Sequence, residues 1–265
     1  MRASAGKQRE ERCMLRNKPE REMKKATETI GNIRFWNCHY DELLKGKKND
    51  HWDLANCDVP YGIGEDGRNN HTRSKLAKSK DYRNNSKYDN DSPPVEYYNE
   101  LIRVSKNQIL WGANHFISKI PYDSSCWIIW DKLNGDSDFA DCELAYTSFN
   151  TAVRTFRFRW AGMLQGNMKN KQIRIHPNEK PVALYKWLLT KYAKPGQRIL
   201  DTHGGSMSHA IACDMLGFEL DICEIDKHYF DEGVSRFREY HTRRTEITEL
   251  GFARTALSRV NPTLF

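Results

Sequence analysis

The chain reads as an α/β protein with a doubly wound, mostly parallel sheet. Three observations predict this class. Apolar runs of strand length alternate with longer runs of helical periodicity. Acidic residues close three of the strand-like runs, at Asp58, Asp201 and Glu224. The 265 residues suffice for one large α/β domain with a small insert.

The elements follow in order. Ile33–Trp36 is predicted as a short strand, Asp41–Lys45 as a turn of helix, and Trp52–Cys57 as a buried strand ending at Asp58. Pro94–Val104 has helical spacing, with Tyr97, Leu101 and Val104 on one side. Gln108–Trp111 is predicted as a strand, His115–Ile120 as a short helix, and the apolar run Cys126–Trp130 as a strand. Cys142–Thr147 and Thr155–Trp160 are further strands, the second alternating Phe156, Phe158 and Trp160 with Arg157 and Arg159. Pro181–Tyr192 is a helix opened by proline, whose missing N–H costs nothing in the first turn. Arg198–Asp201, Ser208–Leu216, Glu219–Glu224 and Lys227–Tyr240 then complete a strand, helix, strand, helix series.

Composition narrows the function classes. No run of eighteen apolar residues exists and the start lacks an apolar leader, so neither a membrane partner nor export is expected, and the expected place is the cytoplasm. The seven cysteines (Cys13, Cys38, Cys57, Cys126, Cys142, Cys213 and Cys223) form no C-x-x-C pair. They are read as reduced thiols, and no metal site is expected. The net charge is +7, and nine Lys/Arg against four Glu fall within residues 1–25. Residues 1–28 are therefore read as a basic, mobile extension. A second polar stretch, 62–91, is rich in Asn, Lys, Arg, Asp and Ser and is read as a functional loop. Residues 29–240 form the expected domain and 241–265 a tail. A basic protein can hold phosphates through counterion release, which suits a nucleic-acid partner.

Three segments carry chemistry. Asp58-Val59-Pro60-Tyr61-Gly62 follows a buried strand, at the sheet edge where open α/β folds bind ligands. An amino group on an aromatic base is a poor nucleophile, because its lone pair is delocalised into the ring. Two acceptors at its hydrogens localise that pair, and Asp58 and the Val59 carbonyl can supply them. Pro60 stiffens the turn and Tyr61 offers a face for stacking. His176-Pro-Asn-Glu-Lys180-Pro181 opens an amphipathic helix. Asp201-Thr202-His203-Gly204-Gly205-Ser206-Met207-Ser208 is a small-residue turn from strand to helix, which lets a ligand approach the backbone. Glu224, at the end of the next strand, can accept both hydroxyls of a ribose.

Together these segments resemble the beta class of DNA amino-methyltransferases, which act on adenine N6 or cytosine N4, and particularly small methylases of phages and mobile elements. Asp58–Tyr61 matches the catalytic motif Asp/Asn/Ser-Pro-Pro-Tyr. His176–Pro181 matches His-Pro-x-x-Lys-Pro, and Asp201–Ser208 matches part of the cofactor motif. The resemblance spans about Ile33 to Tyr240 and includes the stretches 104–112 and 138–145. It implies a Rossmann-like methyltransferase fold with a small target-recognition insert at roughly Lys132–Arg174. It implies S-adenosylmethionine as cofactor and site-specific DNA as substrate, with the target base flipped out and stacked on Tyr61. It further implies that Lys180 and Pro181 shape the cofactor's methionine pocket, that Asp201 to Ser206 line it, and that Glu224 binds the ribose. Arg154, Arg157 and Arg159 fall in the recognition region and are candidate DNA contacts.

Asp58 at the first motif position favours adenine N6. Two other readings stay open: a cytosine-N4 enzyme, and a methylase-like DNA-binding protein without catalysis. A homodimer and a restriction partner are also left open. Two residues depart from the family pattern. Val59 replaces a proline but keeps its carbonyl. Met207 replaces a glycine, and a positive backbone angle or close ligand approach there would strain the turn.

Overall fold

A computed structural model describes residues 25–64, 91–134, 140–161, 164–166, 168–169 and 174–260. Most of the stretches read as a basic extension (1–28) and a functional loop (62–91) lies outside these residues. The strands are β1 (Glu28–Ile30), β2 (Ile33–Asn37), β3 (Trp52–Cys57), β4 (Ser105–Trp111), β5 (Trp127–Asp131), β6 (Cys142–Thr147), β7 (Arg154–Arg157), β8 (Trp160–Ala161), β9 (Leu164–Gln165), β10 (Arg198–Asp201) and β11 (Glu219–Glu224). The helices are α1 (Tyr40–Leu44), α2 (Val95–Val104), α3 (Val182–Tyr192), α4 (Ser208–Leu216) and α5 (Lys227–Val260).

Nine strands form one sheet in the order β1-β2-β11-β10-β3-β4-β6-β5-β7. The centre, from β2 through β11, β10 and β3 to β4, is parallel throughout. β6 runs antiparallel to both β4 and β5, and β1 is antiparallel to β2. The α/β class is therefore as the alternation of strands and helices predicts.

Both faces are covered, which is why the central strands carry apolar residues on both sides. On one face Leu54, Ile109, Trp111 and Ile199 pack against α3, α4 and the first turns of α5 through Leu188, Ala212 and Phe237. On the other, Trp36, Trp52 and Leu110 pack against α1 and α2 through Leu43, Tyr98 and Leu101. The buried Asp221 on β11 accepts from Arg34 Nε (2.7 Å), Trp36 Nε1 (3.1 Å) and Trp52 Nε1 (2.8 Å), which ties three strands together through one satisfied carboxylate.

This topology places the site. From β3 the chain crosses by α2 to β4 on one side; from β10 it crosses by α4 to β11 on the other. The crevice outside the ends of β3 and β10 is thus the switch point where such sheets bind ligands.

Within 132–174, β6 and β7 join the main sheet, β6 being paired on both edges. Three expectations are corrected. The helix read as ending at Tyr240 continues to Val260. The strand read as Thr155–Trp160 breaks after Arg157; Phe158 instead donates its N–H to the Asp131 carbonyl, and Trp160 starts a two-strand ribbon with Leu164–Gln165. The short helix at His115–Ile120 is two 3-10 turns, Ala113–His115 and Ile117–Lys119.

Candidate active site

β3 delivers Asp58 to the edge of the sheet, and the turn Asp58–Tyr61 leads away above it. Beside it stands a wall. Trp111 ends β4 level with Ala145 on β6 and Ile128 on β5, and the paired strands β5 and β6 continue three residues past that level. Glu143, opposite Trp130 on that wall, reaches Tyr61 and Lys180.

The result is a compact charged cluster. Lys180 Nζ lies 2.5 Å from Asp58 Oδ1 and 3.0 Å from Glu143 Oε2, and donates to the Tyr61 hydroxyl at 3.0 Å. The Tyr61 hydroxyl reaches Asp58 Oδ1 at 2.9 Å and Glu143 Oε2 at 3.1 Å; its single proton serves one of them at a time. Lys132 Nζ lies 2.5 Å from the other Glu143 oxygen. The Lys180 side chain is only 4% exposed, so its charge persists by virtue of these partners.

The two carboxylates are driven apart. Burial opposes the charge on Glu143, but Lys180 and Lys132 outweigh it and hold that carboxyl at about 2. Burial and the like charge of Glu143 lift Asp58 above the usual carboxylate range, against the pull of Lys180. Lys180 is raised by Asp58 and Glu143, although burial works the other way. Burial and the two carboxylates raise the Tyr61 hydroxyl well above its ordinary value, so it stays a neutral hydrogen-bonding group.

Pro181 caps α3, and the Lys180 ammonium just before it reaches across the crevice to Asp58, Tyr61 and Glu143. Pro181 itself is buried at the helix start.

Tyr61 has no freedom of place. Gly112, at φ +72°, lies so close that a Cβ there would fall 2.1 Å from Tyr61 Cε1. Glycine meets both demands, a left-handed backbone and a close ring. The exposed His115 stacks on Tyr61, with ring centroids 5.4 Å apart and planes 15° apart.

The second half of the crevice is the turn after β10. Asp201 is buried and braces the turn from below: Oδ1 accepts from the His203 N–H (3.0 Å) and Oδ2 pairs with His209 Nδ1 (2.9 Å). Thr202 bonds to the Tyr97 hydroxyl at 2.6 Å and to His203 Nδ1 at 2.9 Å. His203, Gly204 and Gly205 are partly open, whereas Ser206 is buried. Burial lowers the His203 ring to about 3, which makes it a neutral wall beside Tyr40. Glu224 accepts from the Gly205 N–H (2.9 Å) and the Asp226 N–H (2.8 Å), and burial raises its carboxyl to about 7.

Met207 does adopt the strained conformation that glycine would take freely, with φ +57° and ψ 23°. Its side chain is fully buried, with its sulfur and terminal methyl beneath Gly204. It packs where Gly233 of α5 leaves room; a Cβ at Gly233 would fall 2.6 Å from Met207 Cγ. The backbone penalty is on the order of 1–2 kcal/mol, and buried thioether packing offsets it. Arg236 of α5 holds the turn from behind, donating to the Ser206 carbonyl (2.9 Å) and lying 3.1 Å from the buried Glu179.

The DNA methylase family of the N6/N4 type matches residues 13–235. The chain belongs to that family. Its members are S-adenosylmethionine-dependent. Among solved structures, the PvuII cytosine-N4-specific DNA methyltransferase is 10% identical, covers 83% of this chain and 95% of its own, and superposes with a TM-score of 0.51. TTHA0409 from Thermus thermophilus is 14% identical over 78% of this chain and 95% of its own, with a TM-score of 0.50. M1.HpyAVI in its complex with SAM is 17% identical over 77% and 99%, with a TM-score of 0.46. No curated protein matches in sequence.

In this DNA methylase the candidate DNA contacts lie on the edge strand β7 and just after it. Arg154, Arg157 and Arg159 are all exposed. Arg157 pairs with Asp131 at 3.4 Å, and Arg159 donates to the Leu133 carbonyl at 3.2 Å. Strand alternation puts Arg154 and Arg157 on opposite faces of β7. Reading the sequence missed Glu143, Lys132, Gly112 and His115 as parts of the site. Among the described residues no group of three or more His, Cys, Asp or Glu could hold a metal, and no helix is long and apolar enough to cross a membrane.

Proposed function

We propose that the protein is a site-specific DNA methyltransferase that uses S-adenosylmethionine and acts on adenine N6. The observation that carries this reading is the placement of Asp58 and Tyr61 across one crevice from the Asp201–Ser206 turn and Glu224, at the switch point of the sheet.

The residues fit the cofactor. Gly205 has φ +48°, and a Cβ there would meet nothing closer than the His176 ring at 3.8 Å, so the turn is open to a close ligand. The Glu224 carboxylate suits a ribose diol, His203 and Tyr40 form an aromatic wall for a flat ring, and the carboxylates around the crevice suit a cationic centre. Here His203, Gly204 and Gly205 would hold the cofactor, with Glu224 on its ribose. When bound, S-adenosylmethionine supplies an electrophilic methyl group on a positively charged sulfur.

The chain's own residues prepare the other reactant. Asp58 accepts one hydrogen of the base amino group and the Val59 carbonyl the second, which localises the nitrogen lone pair toward the methyl group. Positioning then accounts for most of the acceleration. Asp58, held above the ordinary carboxylate range, is the group at hand to receive the proton that the nitrogen releases. Tyr61 and the stacked His115 offer an aromatic surface for a base turned out of the duplex. Arg157 and Arg159 supply phosphate contacts beside it.

Asp58 at the head of the catalytic motif supports adenine over cytosine. The test is to incubate unmethylated DNA with the protein and cofactor, digest it to nucleosides and identify the product by mass. N6-methyladenine is expected. N4-methylcytosine would overturn the choice of base, and unmodified DNA would overturn the activity.

A further inference from the structure

The catalytic cluster contains one more carboxylate than the amino-group chemistry requires. Glu143 comes from β6, within the stretch 138–145 and outside the three segments that carry the chemistry. Its side chain is 20% exposed and both oxygens are engaged, Oε1 by Lys132 and Oε2 by Lys180 and Tyr61. A buried carboxylate is costly, and packing alone is served as well by an apolar residue.

The hydrogen bonds show what it does. Lys180 has three protons and three neighbours: Asp58 Oδ1, Glu143 Oε2 and the Tyr61 hydroxyl. The Tyr61 proton is shared between the same two carboxylates. The side-chain contacts to Asp58 fall on Oδ1, and among the described residues Oδ2 carries no hydrogen bond. With Asp58 alone as counterion, the buried ammonium would bind that carboxylate fully and weaken it as an acceptor. Two carboxylates and two lysines form a neutral group in which Asp58 need not neutralise Lys180.

We propose that Glu143 is a positioning residue: it is the standing counterion of Lys180 and alternative acceptor of the Tyr61 hydroxyl, which leaves Asp58 Oδ2 available to the base amino group. Lys132 in turn anchors Glu143. The inference rests on the assignment of Asp58 as the amino-group acceptor.

The charged and titratable groups facing Asp58 are Tyr61 on its own turn, Lys180 and Tyr185 at the start of α3, and Glu143 on β6, with Lys132 behind Glu143 and His115 behind Tyr61. Removing the Glu143 charge removes the like charge nearest Asp58 and commits Lys180 to it; both changes move Asp58 to lower pH.

The experiment compares wild type with Glu143→Gln, Glu143→Asp and Asp58→Ala. Four quantities are read: cofactor affinity by calorimetry, kcat and KM on unmethylated DNA, the acid limb of the kcat–pH profile, and the Asp58 carboxyl titration by carbon-13 NMR in the unliganded protein, assigned with Asp58→Asn. For Glu143→Gln, kcat falls by about 10- to 100-fold, the scale of a misplaced catalytic group, with cofactor affinity and KM near wild type. The acid limb and the NMR titration both move to lower pH. Glu143→Asp keeps the charge, so its titration stays near that of wild type and part of kcat returns. Wild-type kcat with unmoved titration in Glu143→Gln would overturn the proposal. Equal loss of folding or cofactor binding in both Glu143 variants would also overturn it, as the mark of a purely structural role. Asp58→Ala separates the two levels: full activity there sinks the assignment of Asp58, whereas an inactive Asp58→Ala beside a fully active Glu143→Gln sinks the role of Glu143 alone.

Discussion

The two halves of the crevice are both turns at the ends of neighbouring parallel strands, yet they work by different physics. After β3 the turn presents side chains, and their places are set by charge: Lys180, Glu143 and Lys132 hold Asp58 and Tyr61 in a neutral, largely buried group. After β10 the turn presents backbone, and carboxylates brace it from within: Asp201 takes the His203 N–H and Glu224 the Gly205 N–H. A substitution in the first half should therefore act on chemistry, and one in the second on cofactor affinity or stability. This contrast also explains the two departures from the family pattern. Val59 leaves the first turn's acceptor in place, and Met207 burdens only the backbone of the second, because its side chain is stored in the core beside Gly233.

The sharpest way to break the contrast is Asp58→Ala. Methyl transfer should fall by about 10²- to 10³-fold or more, the scale of a lost preorganised polar contact, while cofactor affinity measured by calorimetry stays near wild type. A matching loss of cofactor affinity would merge the two halves.

Next in size is Gly112→Ala. The new Cβ would overlap the Tyr61 ring and the backbone sits at φ +72°. Displacing Tyr61 by about 1 Å should cost about 10²-fold in kcat, again with cofactor affinity retained.

Met207→Gly sharpens the comparison from the other side. From sequence, glycine looks like a repair. In the structure it relieves a left-handed residue but empties a fully buried site. Truncating a buried methionine costs about 2–5 kcal/mol, more than the backbone gains, so the thermal midpoint should drop and cofactor affinity should not improve. A stabilised variant would show that the Met207 side chain contributes less than its backbone strain costs.

The smallest effect is a pH dependence confined to the cofactor half. Burial raises Glu224 to about 7 in the folded protein, above its unfolded value, so its contribution to stability is present at low pH and is lost as pH rises through 7. Ribose hydroxyls donate to the charged form. Cofactor affinity should therefore strengthen as pH rises toward 7, by up to about tenfold per unit below it. Glu224→Gln should flatten that dependence, and calorimetry across pH 5–8 checks it. An unchanged slope in the variant would remove Glu224 from the ribose site.

Much of the fold was legible because strand and helix periods are local. The predicted bounds of Trp52–Cys57, Cys142–Thr147, Arg198–Asp201, Ser208–Leu216 and Glu219–Glu224 coincide with the observed ones. β1 was missed because Glu28–Ile30 is three residues long and gains its partner only across the turn to β2. The continuation of α5 to Val260 was missed because its later turns carry charged residues and no clear apolar stripe.

What the sequence determined by itself was the chemistry on offer: a carboxylate, a proline-stiffened turn and a tyrosine at one strand end, a small-residue turn at another, and a lysine motif between them. Those signals are short-range, so residues within a motif announce one another. What only the tertiary structure decided was who meets whom. Lys180 is 119 positions from Tyr61 and Glu143 is 82 from it, and sheet topology alone brings them within hydrogen-bond reach. The structure therefore brought the Lys180 ammonium to Asp58 and Tyr61, gave it Glu143 as a second counterion, and buried the Met207 side chain beside Gly233. Pairing energy between buried charges depends on distance and desolvation in the folded chain, and neither is written in the spacing of a motif.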